Sequence, residues 1–133
     1  MRKIVLVAAV GVFTPVLAWA ESATVESGVK SQIASHVRYN SRCQSSPVRI
    51  RITAEPENGT VTSETKSIVV PAQSDRGIPQ QTPCVGKTVD GVVVYYQSKP
   101  GFVGEDSFRY QRLNPRDAGD PFNTEIRYTI TVK

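Results

Sequence analysis

Leucine is almost missing beyond the first twenty residues: Leu113 stands alone there, beside only five alanines. Both are strong helix formers, and no stretch of the chain combines helical spacing with caps, so a helical fold is excluded. Histidine is represented by His36 alone and cysteine by Cys43 and Cys84. One histidine with two thiols is one ligand short of a tetrahedral zinc site, so no metal and no cofactor are expected. The serines lie in no Gly-x-Ser-x-Gly elbow or comparable setting in which a base could activate them, and no catalytic residue is assigned. After Ala20 the longest apolar stretch is Val92–Tyr96, far short of a membrane span. A dominant charge is lacking too. Residues 21–133 carry 14 basic and 12 acidic side chains, a balance that excludes a purely electrostatic nucleic-acid binder.

The apolar residues are concentrated at the start. Arg2 and Lys3 precede a run from Ile4 to Leu17, followed by Ala18-Trp19-Ala20. A basic n-region, an apolar h-region and a small-x-small cut site describe a secretory leader. Cleavage is expected after Ala20, leaving one domain over residues 21–133 that is periplasmic or secreted and not inserted in a membrane. Such a chain is too short for a multi-domain enzyme and buries one modest core. Oxidising compartments let thiols pair, so Cys43 and Cys84 are expected to form a disulfide. The bridge closes a loop of about 40 residues, on the order of 4 kcal/mol in the chain-entropy description.

What the exported part does contain is β-branched: 14 Val, 7 Ile and 10 Thr. These side chains are stiff at χ1 and suit a pleated surface. Apolar–polar alternation predicts strands at 33–39, 48–53, 60–62, 66–70, 89–97, 107–113 and 126–132. Turn residues separate them, notably Pro56-Glu57-Asn58-Gly59, Pro71–Pro83, Lys99-Pro100-Gly101 and Asn114–Pro121. Some seven short strands in a chain this size predict an all-β, antiparallel sandwich. Folding the last two strands about Ala118 sets Phe108 against Tyr128 and Tyr110 against Ile126 on the core side. Arg109 then opposes Arg127 on the other side, where Glu125 lies diagonal to Arg109 and is placed to separate the two charges.

One stretch carries more information. Tyr96-Gln97-Ser98-Lys99-Pro100-Gly101-Phe102-Val103-Gly104-Glu105-Asp106-Ser107-Phe108-Arg109-Tyr110 resembles the Y-x-P-x-x-G-F-x-G-x-D-S-F-x-Y signature of bacterial cadherin-like and immunoglobulin-like domains of exported and surface proteins. Pro56–Val61 resembles that family's P-x-N-G-T-V turn, and Ile130-Thr131-Val132 its last strand. The resemblance implies an immunoglobulin-like sandwich, and Ser98 departs from it where the family has proline. Physically the motif is a corner between sheets. Gly101 and Gly104 permit positive φ, Phe102 plugs the gap, and the Asp106 carboxylate takes turn N–H groups. Phe108 and Tyr110, two apart, fill the core.

Function is sought at the surface. Arg49, Arg51, Arg109 and Arg127 fall on strand positions opposite the core, and with Arg112 and Arg116 they offer a basic face. In the 114–121 loop, Arg116 and the adjoining Phe122 are framed by Pro115 and Pro121, and Phe122 reads equally as a rigid contact tip or as a cap on the core. His36 shares parity with Ala34 and Arg38, the less apolar face of its strand, and is expected at a solvated or edge position. Asp117 and Asp120 are two carboxylates, fewer oxygens than calcium takes. The resulting expectation is a non-enzymatic binding or structural module whose partner is a protein or polysaccharide; the alternative is a small exported inhibitor whose 114–121 loop blocks an enzyme cleft. Since Trp19 is the sole tryptophan, the processed product is expected to show tyrosine but no tryptophan emission. Tryptophan fluorescence from the purified exported protein would show the leader still attached.

Overall fold

The computed structural model describes residues 19–74 and 77–133. Seven strands run in chain order: β1 (Trp19–Val25), β2 (Ser31–Val37), β3 (Arg49–Ala54), β4 (Gly59–Val69), β5 (Thr88–Ser98), β6 (Gly104–Leu113) and β7 (Thr124–Val132). They form a four-stranded sheet, β1-β7-β6-β3, and a three-stranded sheet, β2-β5-β4. No helix occurs among the described residues, and none there is long and apolar enough to cross a membrane. The expected leader lies outside the described residues apart from Trp19 and Ala20.

Three features differ from the sequence expectation. First, β1 was not anticipated, because it straddles the expected cut site. It pairs with β7 from Trp19↔Ile126 to Val25↔Val132, in parallel, so the sheet is mixed and not wholly antiparallel. The cleavage expected after Ala20 would remove two of those pairs and keep Glu21–Val25. Second, the segments 60–62 and 66–70 are one strand, β4, which pairs with β5 without interruption from Gly59↔Ser98 to Val69↔Thr88. Its central residues Thr62–Ser67 are exposed, because an edge strand takes its pairing from β5 and can be polar on both faces. Third, β2 carries a bulge between Gln32 and Ala34. An extra residue shifts side-chain parity, so both Ile33 and Ala34 pack against the core. His36 then faces inward, while Val37 and Tyr39 join a separate cluster with Val70, Cys84 and Val89.

The main core is contributed by both sheets. Val61, Val94 and Tyr96 from the smaller sheet meet Phe108, Tyr110, Ile126, Tyr128, Ile130 and Val132 from the larger. The β6–β7 register is the expected one: Phe108↔Tyr128, Tyr110↔Ile126 and Arg109↔Arg127. It lines up rings. Phe108 stacks on Tyr128 with centroids 5.5 Å apart, and Tyr96 and Tyr110 stack within 6.1 Å of their neighbours. Fully burying side chains of this kind contributes about 1.5–3 kcal/mol each.

The corner motif behaves as its residues suggest. Gly101 and Gly104 have φ of 81° and 139°, and Phe102 between them packs against the core. Asp106, buried at the start of β6, accepts hydrogen bonds from the backbone N–H groups of Glu57 (3.1 Å), Asn58 (3.1 Å) and Ser107 (2.9 Å). The Tyr96 hydroxyl donates to the same carboxylate at 2.8 Å. Burial first, and the Asp106 carboxylate second, push the Tyr96 phenol well above its ordinary range. At the opposite end of the strands, Cys43 and Cys84 are bonded with Cα atoms 5.4 Å apart. The bridge ties the β2–β3 connection to the long β4–β5 connection and holds Cys43 at φ 60°, a left-handed conformation uncommon outside glycine.

Asp106→Ala leaves four donors, the N–H groups of Glu57, Asn58 and Ser107 and the Tyr96 hydroxyl, without their acceptor and is expected to cost about 3–5 kcal/mol in urea unfolding, against about 1–2 kcal/mol for Tyr96→Phe. Replacing both cysteines by serine is expected to remove roughly 4 kcal/mol while leaving the β-sheet circular dichroism in place at low temperature.

Candidate functional site

The four sheet-face arginines stand where the alternation put them. Arg49, Arg51, Arg109 and Arg127 are all exposed. They lie on the outer face of the larger sheet, Arg51 beside Gln111, Arg49 beside Leu113, and Arg109 directly across from Arg127. The acids sharing that face are Glu105 and Glu125, which leaves the arginines in surplus. Glu125 accepts a hydrogen bond from Thr53 Oγ1 at 3.3 Å; it is engaged toward β3, and the diagonal pairing to Arg109 anticipated for it does not appear. Toward the β3–β4 turn, Arg109 and Arg127 border a shallow hollow of about 600 Å³ that also meets Glu55, Glu57 and Glu105. The face therefore grades from basic at Arg49 and Arg51 to mixed at the turn.

Arg112 and Arg116 do not join this face. Arg112 has the parity of Phe108 and Tyr110 and points inward, pairing across to Ile50 and Thr124. Arg116 lines a separate hollow of about 390 Å³ with Ser45, Pro47, Thr65 and Asp90. Phe122 is turned in as well. The Arg112 guanidinium lies over its ring at 4.7 Å and that of Arg38 at 5.2 Å, a cation–π clamp. Arg112 Nε–H also donates to the Phe122 carbonyl at 3.1 Å. Phe122, read from the sequence as a contact tip or a cap, is half-buried with its ring against these two guanidinium groups.

The 114–121 loop is held from within. Asn114 Oδ1 accepts from Arg116 N, Asp117 Oδ1 from Gly119 N, and Asp120 Oδ1 from Phe122 N. Asp120 Oδ2 takes Asn114 Nδ2 at 2.8 Å and Arg38 at 3.3 Å. The Phe122 N–H, then Asn114, then the Arg38 charge hold Asp120 below the usual carboxylate range. Both loop carboxylates are thus engaged by protein donors, and among the described residues no group of three or more His, Cys, Asp or Glu side chains converges as a metal cage.

The position that sequence reasoning misplaced is His36. It is 6% exposed, not solvated, and Nε2 shares a 2.7 Å hydrogen bond with the Tyr110 hydroxyl. The bulge in β2 is the cause, and an unbroken parity count gave no signal of it. His36 forms part of the wall of a cleft of about 700 Å³ between β1 and β2, the edge strands of the two sheets. Glu21, Gln32, Tyr110, Arg112 and Tyr128 also line it, and the 71–83 connection contributes Ser74, Ile78, Pro79 and Gln80. Burial first, and the Arg112 charge second, lower the imidazole from 6.5 to about 4. At neutral pH the ring is uncharged and a weak base, poorly matched to proton transfer, which favours a pKa near the working pH.

No protein-family model matches the chain, and no curated protein matches it. Among solved structures, the solution structure of Amebosin is similar with a TM-score of 0.44 and 11% identity, over 87% of this chain and 96% of that one.

The sign of the His36 effect follows from its lowered midpoint. The unfolded chain takes up the proton more readily, so the stabilising contribution is full above about pH 6.5 and is lost as pH falls through 4. The whole step is about 3 kcal/mol. Urea midpoints measured at stepped pH are expected to show that acid limb, and His36→Phe is expected to flatten it.

Proposed function

We propose that this protein is an exported, non-enzymatic, immunoglobulin-like binding module. In this reading it recognises an acidic protein or polysaccharide through the face carrying Arg49, Arg51, Arg109 and Arg127. The observation that carries the reading is the cross-strand pair Arg109↔Arg127. Like charges set directly opposite destabilise a sheet, and here they sit exposed beside two further guanidinium groups. An anionic surface docking on that face relieves the repulsion and gains charge-assisted, bidentate hydrogen bonds. A rigid sheet presents the four groups in fixed relative positions, which lowers the ordering cost of binding.

The immunoglobulin-like part of the reading is supported by the strand order and by a first strand running parallel to the last. Export is supported by the leader-like start of the chain and is compatible with the Cys43–Cys84 bridge. The internal network of the 114–121 loop favours the inhibitor reading to one extent, since it stiffens a loop that would have to enter a cleft. Phe122, clamped under Arg38 and Arg112, would not be its contact residue.

Charge reversal at Arg109 and Arg127 is expected to weaken capture of an acidic partner by at least about tenfold. Reversal at Arg49 and Arg51 is expected to do the same, with binding to the wild type falling steeply as salt is raised. Heparin and polyglutamate columns provide the measurement. Unchanged retention by the reversed variants would remove the sheet-face reading. Retention of a target enzyme lost only on shortening the 114–121 loop would put the inhibitor in its place.

A further inference from the structure

Two open sheets leave four edge strands, and they are not equally protected. β1 and β3 flank the larger sheet, β2 and β4 the smaller. β2 is bulged between Gln32 and Ala34, and its Ile33 carbonyl takes the Tyr128 hydroxyl at 3.1 Å. β3 is six residues long and bulged between Ile52 and Ala54. β1 is seven residues long and shares the cleft with β2. β4 has none of these devices. It is 11 residues long, contains no proline and keeps an unbroken register with β5. Among the described residues, the backbone of residues 60–69 has no hydrogen-bond partner beyond β5. A long unpaired edge of this kind recruits another strand unless its side chains forbid it.

The charges on β4, Glu64 and Lys66, do not forbid a second copy. About Thr65 the sequence is nearly symmetrical: Glu64 mirrors Lys66, Ser63 mirrors Ser67, and Val61 mirrors Val69. A two-fold axis perpendicular to the sheet pairs an edge strand antiparallel with its own copy. Centred on Thr65, that operation sets Glu64 of each copy directly opposite Lys66 of the other. Centred on Glu64 or on Lys66 it sets like charges face to face, which destabilises a sheet. Charge therefore selects one register.

Glu64 and Lys66 already share a 3.2 Å ion pair along the strand, and the Tyr95 hydroxyl donates to Glu64 at 2.9 Å. Both contacts use Oε1 of Glu64. The Lys66 and Glu64 side chains remain 50% and 44% exposed, so Oε2 and further ammonium protons are open to a second partner. Pairs along the strands and pairs across them then close a ring of four charges alternating in sign. At each end of the symmetrical stretch the exposed Val69 meets Val61 of the other copy.

We propose that the protein self-associates through β4, two copies joining edge to edge about Thr65 into one six-stranded sheet. A single strand pair lies at the small end of specific interfaces, so the association is weak and depends on concentration. The perpendicular axis keeps both larger sheets on the same side, with their two arginine faces pointing the same way, so an extended acidic partner is held twice. Only that last consequence rests on the function proposed above; the pairing does not.

Sedimentation velocity on the purified, disulfide-bonded protein, from about 5 µM to about 500 µM, is expected to show a monomer–dimer equilibrium. Glu64→Lys and Lys66→Glu each set like charges opposite one another twice in the dimer, and each is expected to weaken it at least about tenfold. The double exchange Glu64→Lys/Lys66→Glu restores opposite charges and is expected to recover the association. An equimolar mixture of the two single variants is expected to associate more tightly than either alone, since each supplies the charge the other lacks. Both positions are exposed, and circular dichroism checks that every variant keeps its sheets. In the wild type, raising the concentration is expected to slow amide exchange at alternate residues of 61–69, those whose N–H groups point away from β5. The proposal is overturned by a monomer throughout the range, by a dimer indifferent to the single reversals, or by a mixture no tighter than its components.

Discussion

A single carboxylate holds the two sheets in register. Asp106, near the start of β6 in the larger sheet, receives the hydroxyl of Tyr96 from β5 in the smaller one, and takes the N–H groups of the β3–β4 turn. Each partner comes from a different part of the chain, so the carboxylate is coordinated only when all three segments are already in place. A buried anion is costly unless its lone pairs are met, and a misregistered β6 would leave it unmet. That penalty, more than the strength of any one bond, makes this packing of the sheets preferable to its neighbours. Phe102, Gly101 before β6 and Gly104 at its first position then follow as the geometry needed to deliver Asp106 to the turn.

The other end of the molecule is organised differently. There the connections are long and apolar residues few, and order comes from covalent and charge-based ties. The disulfide joins two connections over a small second cluster of Val37, Tyr39, Val70 and Val89. Arg38 reaches the Pro47 carbonyl, Asp120 and the Phe122 ring. Arg112 completes the same clamp from β6. A structured end of this kind presents a fixed surface, and Arg112, held in its clamp, also belongs to the wall of the cleft.

The strand content, the β6–β7 register, the role of Asp106 and the exposed arginines were all legible in the order of residues. Each depends on local alternation or on a turn of known geometry, and such features survive in any context that buries one face. His36, β1 and the length of β4 were not legible. The bulge that turns His36 inward is a matter of how β2 meets β5, and one inserted residue reverses every parity assignment after it. β1 holds its place through β7, which lies a hundred residues away, and its own sequence is barely apolar. For Phe122 the residues alone left a contact tip and a cap on the core equally open, because the two guanidinium groups that lie over its ring come from β6 and from the residue following β2.

The sequence by itself therefore determined the class of structure, the pairing of the cysteines and the face on which the arginines stand, because β-branched content, thiol count and period-two alternation act within a few residues of each other. Only the tertiary structure decided that His36 is buried, that Arg112 points inward to join it, and that two strand edges enclose a cleft beside them. Those outcomes arise where separate segments meet, and no segment carries in its own residues the position of the other.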